Sequence, residues 1–277
     1  MKYCIPYSKK SKYKDKVDEL IFPYDREKNI AIGKTLLDSG DLFSNQRVII
    51  EILDYNFFTQ WKTLEIFKEL KIKKPELNFA LKFCFKQFRG KDKAVYQELR
   101  ESGIPFFFDY RANTWESFDA LIQLGVSDIY VSEALGFELS KLGPVAHAAG
   151  ISIRVFANVC QTILPWIDSL KSFFIRPEGV PSYEPYVDVI EFYGDTNVQD
   201  VMYKAYALDK QWFGPLKEII IGLDSEIESP RLMRAFEVMR VRCGKKCLKG
   251  IKCNMCNEIA ELSCTLKEKN LYIKDIN

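Results

Sequence analysis

Hydrophobic and polar positions along the chain follow two periods in turn. Short apolar runs of strand length are each followed by a polar cluster, and then by apolar residues at helical spacing. The clearest instance begins at residue 104. The run 104–108 gives way to Asp109, Tyr110, Arg111 and Asn113, and then to Trp115, Phe118, Leu121 and Ile122 on one helical face. Asn113 with Glu116 three residues on predicts a capping box, and Gly125 predicts a left-handed residue at the helix end. A second run follows at 128–131, then Ser132, Glu133, a helical stretch closing at Gly150, and a third run at 151–159. Two strand-helix-strand units therefore stand back to back, which requires a parallel sheet covered by helices.

The same alternation continues on both sides. Strands are predicted at 2–7, 19–24, 47–53 and 78–85, with helices at 27–37, 61–70 and 91–102. Beyond residue 160 come a helix near 165–170, runs at 173–175 and 187–193, a helix at 198–211 and a run at 218–223. About nine or ten strands at this spacing predict a (β/α)8 TIM-like barrel over residues 1–225, with a short cysteine-rich extension over 226–277. An open, doubly wound sheet is the competing architecture. It is disfavoured because no glycine-rich dinucleotide fingerprint follows an early strand, and because polar residues recur at nearly every strand end.

Composition narrows the chemistry. The chain has 277 residues, 47% of them hydrophobic and 28% charged, enough to bury a full core. A net charge of +2 does not announce nucleic acid. No run reaches the roughly 18–20 apolar residues of a membrane span, and the N-terminus has no secretory apolar core, so a cytoplasmic protein without a membrane partner is expected. Its sole histidine, His147, lies in a helix among alanines, which disfavours serine-histidine-aspartate and two-histidine metal mechanisms. No phosphate-binding loop is present.

Eight cysteines are informative in a reducing compartment. Cys243, Cys247, Cys253 and Cys256 fall within fourteen residues, separated by three, five and two residues. Gly244 and Gly250 let the backbone turn, and Lys245, Lys246, Lys249 and Lys252 favour the thiolates. Four thiolates so close predict a metal centre. Tetrahedral zinc and a 4Fe-4S iron-sulfur cluster both use four cysteines, and the spacing matches neither a zinc ribbon nor a ferredoxin run, so either metal fits. The lysines, with Arg240 and Arg242, form a basic patch that is either a solvated face or a phosphate contact for RNA. Cys4 and Cys84 lie inside apolar runs and are expected in the core.

The segment Arg111, Ala112, Asn113, then Gly125, Glu133-Ala134-Leu135 and Asn158-Val159-Cys160 resembles the collagenase-like peptidase family U-thirty-two. Residues 17–21 stand where that family has its second strand, so the resemblance covers about the first 160 residues. It implies a barrel, with Asn113, Glu133 and Cys160 facing its mouth. It also implies kinship with iron-sulfur members that help hydroxylate RNA bases or ubiquinone without oxygen. The family's cysteine-rich motif after the seventh strand is reduced here to Cys160 and Gln161, which suits a barrel that has lost the chemistry.

Two functional readings follow. The first is a barrel enzyme whose mouth carries Asp109, Arg111, Asn113, Glu133 and Arg176, acting on RNA, a small aromatic molecule or a peptide. Asp54, Glu178 and Glu191 are further carboxylates at strand ends, and Arg111 and Arg176 suit an anionic substrate. The second is an inactive barrel that binds a protein partner, its cysteine tail a folding staple.

Overall fold

The computed structural model describes residues 1–24, 45–52, 57–83, 93–132, 135, 138–157, 175 and 177–212. They belong to two compact units. The first comprises Met1–Ser132, Pro144–Val155 and Val187–Glu191, and the second Glu133–Gly143, Phe156–Tyr186 and the chain from Phe192 onward.

Nine parallel strands form one nearly closed barrel: β1 (Lys2–Pro6), β2 (Glu19–Tyr24), β3 (Arg47–Ile52), β4 (Phe79–Phe83), β5 (Phe106–Phe108), β6 (Arg111–Ala112), β7 (Asp128–Val131), β8 (Ser152–Phe156) and β9 (Val189–Glu191). The order across the sheet is β5-β4-β3-β2-β1-β9-β8-β7-β6. Each strand is short because each needs only to cross a barrel wall. Most are buried on both faces, so their sequences read as continuous apolar runs.

The two edges of that order meet within a few residues of chain. β5 pairs with β4, whereas β6, two residues later, pairs with β7. Ser127 N–H also donates to the Phe106 carbonyl at 2.8 Å, tying the start of β7 to β5. The polar cluster expected as a simple turn after 108 thus contains a piece of strand. Backbone pairing at Arg111 and Ala112 outweighs the polar side chains there, because the ladder continues beside β7.

Helices α1 (Phe57–Lys73), α2 (Lys93–Ser102), α3 (Trp115–Leu124) and α4 (Leu139–Ala148) connect the strands. The start of α3 differs from expectation. Thr114 is the N-cap, its hydroxyl accepting from Ser117 N–H at 3.2 Å while Ser117 Oγ accepts from Thr114 N–H at 3.2 Å. The reciprocal pair is a capping box one residue later than Asn113 and Glu116, with a short serine replacing the longer acid. Gly125 ends the helix at φ 70°, as its position predicts.

In the second unit, a 3-10 turn covers Pro177–Ser182, and α5 (Thr196–Tyr203) runs into a π-helical segment, Lys204–Asp209. The expected continuous helix 198–211 is therefore widened at its end. Tyr206 is buried there, its hydroxyl donating to the Ile175 carbonyl and its ring packed 5.2 Å from Phe192. The expected helices at 27–37 and 165–170, the runs at 173–174 and 218–223, and the whole 226–277 extension lie outside the described residues. Among the described residues, no helix is long and apolar enough to cross a membrane.

Candidate functional site

Barrel interiors are commonly filled with branched apolar side chains. This one carries charge. Glu19 on β2, Arg47 and Glu51 on β3, Lys82 on β4, Asp128 and Tyr130 on β7, Arg154 on β8 and Glu191 on β9 meet inside the ring. Their partners show that they point inward. Arg47 reaches Asp128 although β2, β1, β9 and β8 separate their strands, a contact possible only across the interior.

The cluster has two storeys. The lower one lies at the amino ends of the strands, where Glu19, Arg47 and Asp128 are each the first residue. Arg47 grips Asp128 with both terminal nitrogens, Nη1 to Oδ1 and Nη2 to Oδ2, each at 2.8 Å. Ser127 Oγ adds a 2.7 Å bond to Oδ2. Arg154 has no exposed surface and spans the storeys, donating through Nη1 to Glu19 at 2.6 Å and Asp128 at 3.1 Å, and through Nη2 to Glu191 at 3.4 Å. Its guanidinium also lies 5.1 Å from the Phe107 ring and 5.5 Å from the Tyr130 ring, at the reach of a cation-π contact.

The upper storey lies nearer the carboxyl ends. Lys82 Nζ is 3.1 Å from Glu51 and 3.8 Å from Glu191, and sits 5.3 Å from the Tyr130 ring centre. Tyr130 donates its hydroxyl to Glu191, so Oε2 of that acid receives both the phenol and Arg154. Glu51 is the outlet to solvent, its side chain 18% exposed against 4% for Glu191.

The electrostatics follow from this pairing. Burial would raise the Asp128 pKa, but Arg47 and Arg154 overcome it and hold the carboxyl at about 2. Burial opposes the charge on Lys82, yet the Tyr130 oxygen, Glu191 and Glu51 more than offset it and push its pKa well up. Lys82 is therefore an ammonium ion at neutral pH, an electrostatic anchor and not a free-amine nucleophile. Burial, with Glu191 next to it, raises the Tyr130 phenol and keeps it a proton donor. Cys4 faces the same surroundings with no exposed surface, and burial pushes its thiol up, which makes it an inert core residue.

The residues singled out from sequence distribute as follows. Arg111 on β6 is half-buried and in register with Tyr130, which is in register with Arg154. Neighbours in register share a sheet face, so Arg111 belongs to the inward row. Asp109 is exposed beyond β5, its N–H bonded to the Phe83 carbonyl at 2.8 Å. Asn113 is exposed, accepts from the Tyr110 hydroxyl at 3.3 Å and donates its N–H to Ser117 Oγ at 3.2 Å. Glu191 joins the interior network. Glu178 lies in the 3-10 turn of the second unit and accepts from Trp212 N–H at 3.0 Å. Glu133, Arg176, Asp54, Cys160 and the tail cysteines Cys243, Cys247, Cys253 and Cys256 lie outside the described residues. His147 ends α4 with Nε2 3.0 Å from Asp188, and that acid also accepts from Ile153 N–H at 2.8 Å, giving the ring a bracing role.

Glu19, Arg47, Glu51, Lys82, Asp128 and Arg154 were not among the residues singled out as functional. A signal exists for Glu51, Lys82 and Arg154. A single charge inside an apolar strand run, as in VIIEIL, FALKF or SIRVF, has no solvent face in a parallel sheet and must point at a counter-charge. Among the described residues, no group of histidine, cysteine and acidic side chains is arranged to hold a metal ion. No protein-family model matches the chain, and no curated protein matches it at a significant level.

Proposed function

We propose that this chain is a (β/α)8 barrel enzyme that holds a small polar substrate over the carboxyl ends of its strands. Counting β5 and β6 as one strand bent at Asp109 and Tyr110 gives the eight strands of that architecture. The observation that carries the enzymatic reading is the upper storey, where Glu51, Lys82, Tyr130 and Glu191 converge where barrel enzymes place their chemistry. A scaffold gains nothing obvious from such a group, since apolar side chains of similar volume fill a core at equal or lower free-energy cost.

The second component is a metal centre on Cys243, Cys247, Cys253 and Cys256. Four thiolates suit either an iron-sulfur cluster, which would supply electrons, or zinc, which would supply a fold-stabilising tetrahedral site. Together with the resemblance to peptidase family U-thirty-two, an iron-sulfur centre supports oxygen-independent hydroxylation of RNA or a small aromatic substrate, with peptide hydrolysis as the other family chemistry. One observation favours an inactive barrel with a structural metal. The lower storey satisfies its own charges so fully that the network also serves as a device for specifying the fold.

Purification without oxygen, followed by absorption spectroscopy and iron and zinc analysis, separates these readings. Iron with broad visible absorption, lost when the four cysteines are changed to serine, supports the enzyme. Zinc alone supports the inactive barrel, and neither metal removes the centre from both.

A further inference from the structure

Most of the interior charge finds a partner, which makes the exceptions informative. Ser132 Oγ and Arg154 Nε are buried without a hydrogen-bond partner among the described residues. Both are donors on adjacent strands of the same wall. Ser132 follows β7 directly and is 4% exposed. Its N–H still donates to the Ala112 carbonyl at 3.0 Å, so the ladder with β6 continues through it. Side chains alternate along a strand, and Asp128 and Tyr130 point inward, so Ser132 points inward too, one pleat closer to the carboxyl ends. Arg111 stands on neighbouring β6 in register with Tyr130, half-buried. This wall therefore presents the Arg111 guanidinium and the Ser132 hydroxyl as diagonal neighbours, the hydroxyl one pleat nearer the carboxyl ends, with Arg154 in the same row as Arg111.

A buried hydroxyl without a partner is costly, and a strand-end serine could be replaced by alanine without loss of packing. Donors collected around a guanidinium suit an oxoanion, because charge-assisted bonds from arginine and a hydroxyl are among the strongest available. We infer that Arg111 and Ser132 form a subsite for the oxoanion group, carboxylate or phosphate, of a small ligand. The acids Glu51 and Glu191 are held by Lys82, and Glu191 also by Tyr130 and Arg154, which limits their repulsion of that group. The inference deepens the proposed substrate site and rests on the mouth of the barrel being used, but not on the metal.

The test uses the full chain with and without metal, titrated separately with inorganic phosphate and with benzoate while the heat of binding or NMR shifts are followed. Wild type is expected to bind at least one of the two, and which one binds distinguishes a phosphorylated from a carboxylated ligand. Ser132→Ala is expected to weaken binding about tenfold, as loss of one charge-assisted hydrogen bond does. Its unfolding midpoint without ligand should be unchanged or higher, because it removes an unpartnered polar atom. Arg111→Gln should abolish binding, with Arg111→Lys restoring part of it. Retention of binding in both Ser132→Ala and Arg111→Gln, or no binding of either anion by wild type, overturns the subsite. Failure of the metal analysis leaves the prediction in place, so the two proposals fail separately.

Discussion

The lower and upper storeys of the barrel interior use the same residue types to different ends. Below, Glu19 and Asp128 face Arg47 and Arg154 in short bonds, and the carboxylate of Asp128 is shared by two guanidinium groups and a serine. Above, Lys82 divides one ammonium between two acids, and one of them, Glu51, touches solvent. A mutually neutralised group, two acids against two guanidinium groups, holds strands together across the ring. A group whose acid is partly accessible near the carboxyl ends can exchange partners with a ligand. Position along the strand axis, more than residue type, separates support from candidate chemistry.

Removing the pivot should have the largest effect. Arg154→Met leaves Glu19, Asp128 and Glu191 buried without the one cation they share, and is expected to cost roughly 3–5 kcal/mol in urea unfolding. A loss below about 1 kcal/mol would show that the storeys do not depend on it.

Acid should then act on the lower storey through Asp128. Asp128 has its folded pKa lowered from 3.8 to about 2, so its contribution is complete above pH 4 and is lost as the pH falls through 2. The difference amounts to about 2 kcal/mol. Unfolding free energy measured between pH 4 and 2 should fall for wild type and vary less for Asp128→Asn, whose stability is lower at neutral pH.

Lys82→Met should cost less than Arg154→Met, about 1–3 kcal/mol, because Glu51 can turn to solvent and Glu191 keeps Tyr130 and Arg154. An equal or greater loss by calorimetry would erase the distinction between the storeys. The smallest effect marks the surface baseline. Lys68 pairs with Glu65 and Glu98 outside the barrel, and Lys68→Ala should change stability by less than about 1 kcal/mol.

Much of the frame was legible in the chain. Strands β2 and β7 fall where the apolar runs predict them, and Gly125 marks a true helix end, because burial and backbone geometry act locally. The cap at Thr114 was missed because two short hydroxyl side chains bridge each other, a pairing weaker in sequence than Asn with Glu. The break between β5 and β6 was missed because it depends on closure, where one strand changes neighbours. Arg47 and Asp128, far apart in sequence, have no local signature for their pairing, and only the returned ring brings them together. Of the mouth residues, Arg111 was legible as a polar group after a strand. Ser132 was passed over because a missing partner is a property of packing.

Strands from opposite walls meet through charge, and a double-mutant cycle on Arg47 and Asp128 tests this most directly. Arg47→Met, Asp128→Asn and the double variant, unfolded in urea at pH 7, should show a coupling of about 1–3 kcal/mol. Additivity within about 0.5 kcal/mol would mean that β3 and β7 do not meet across a closed interior.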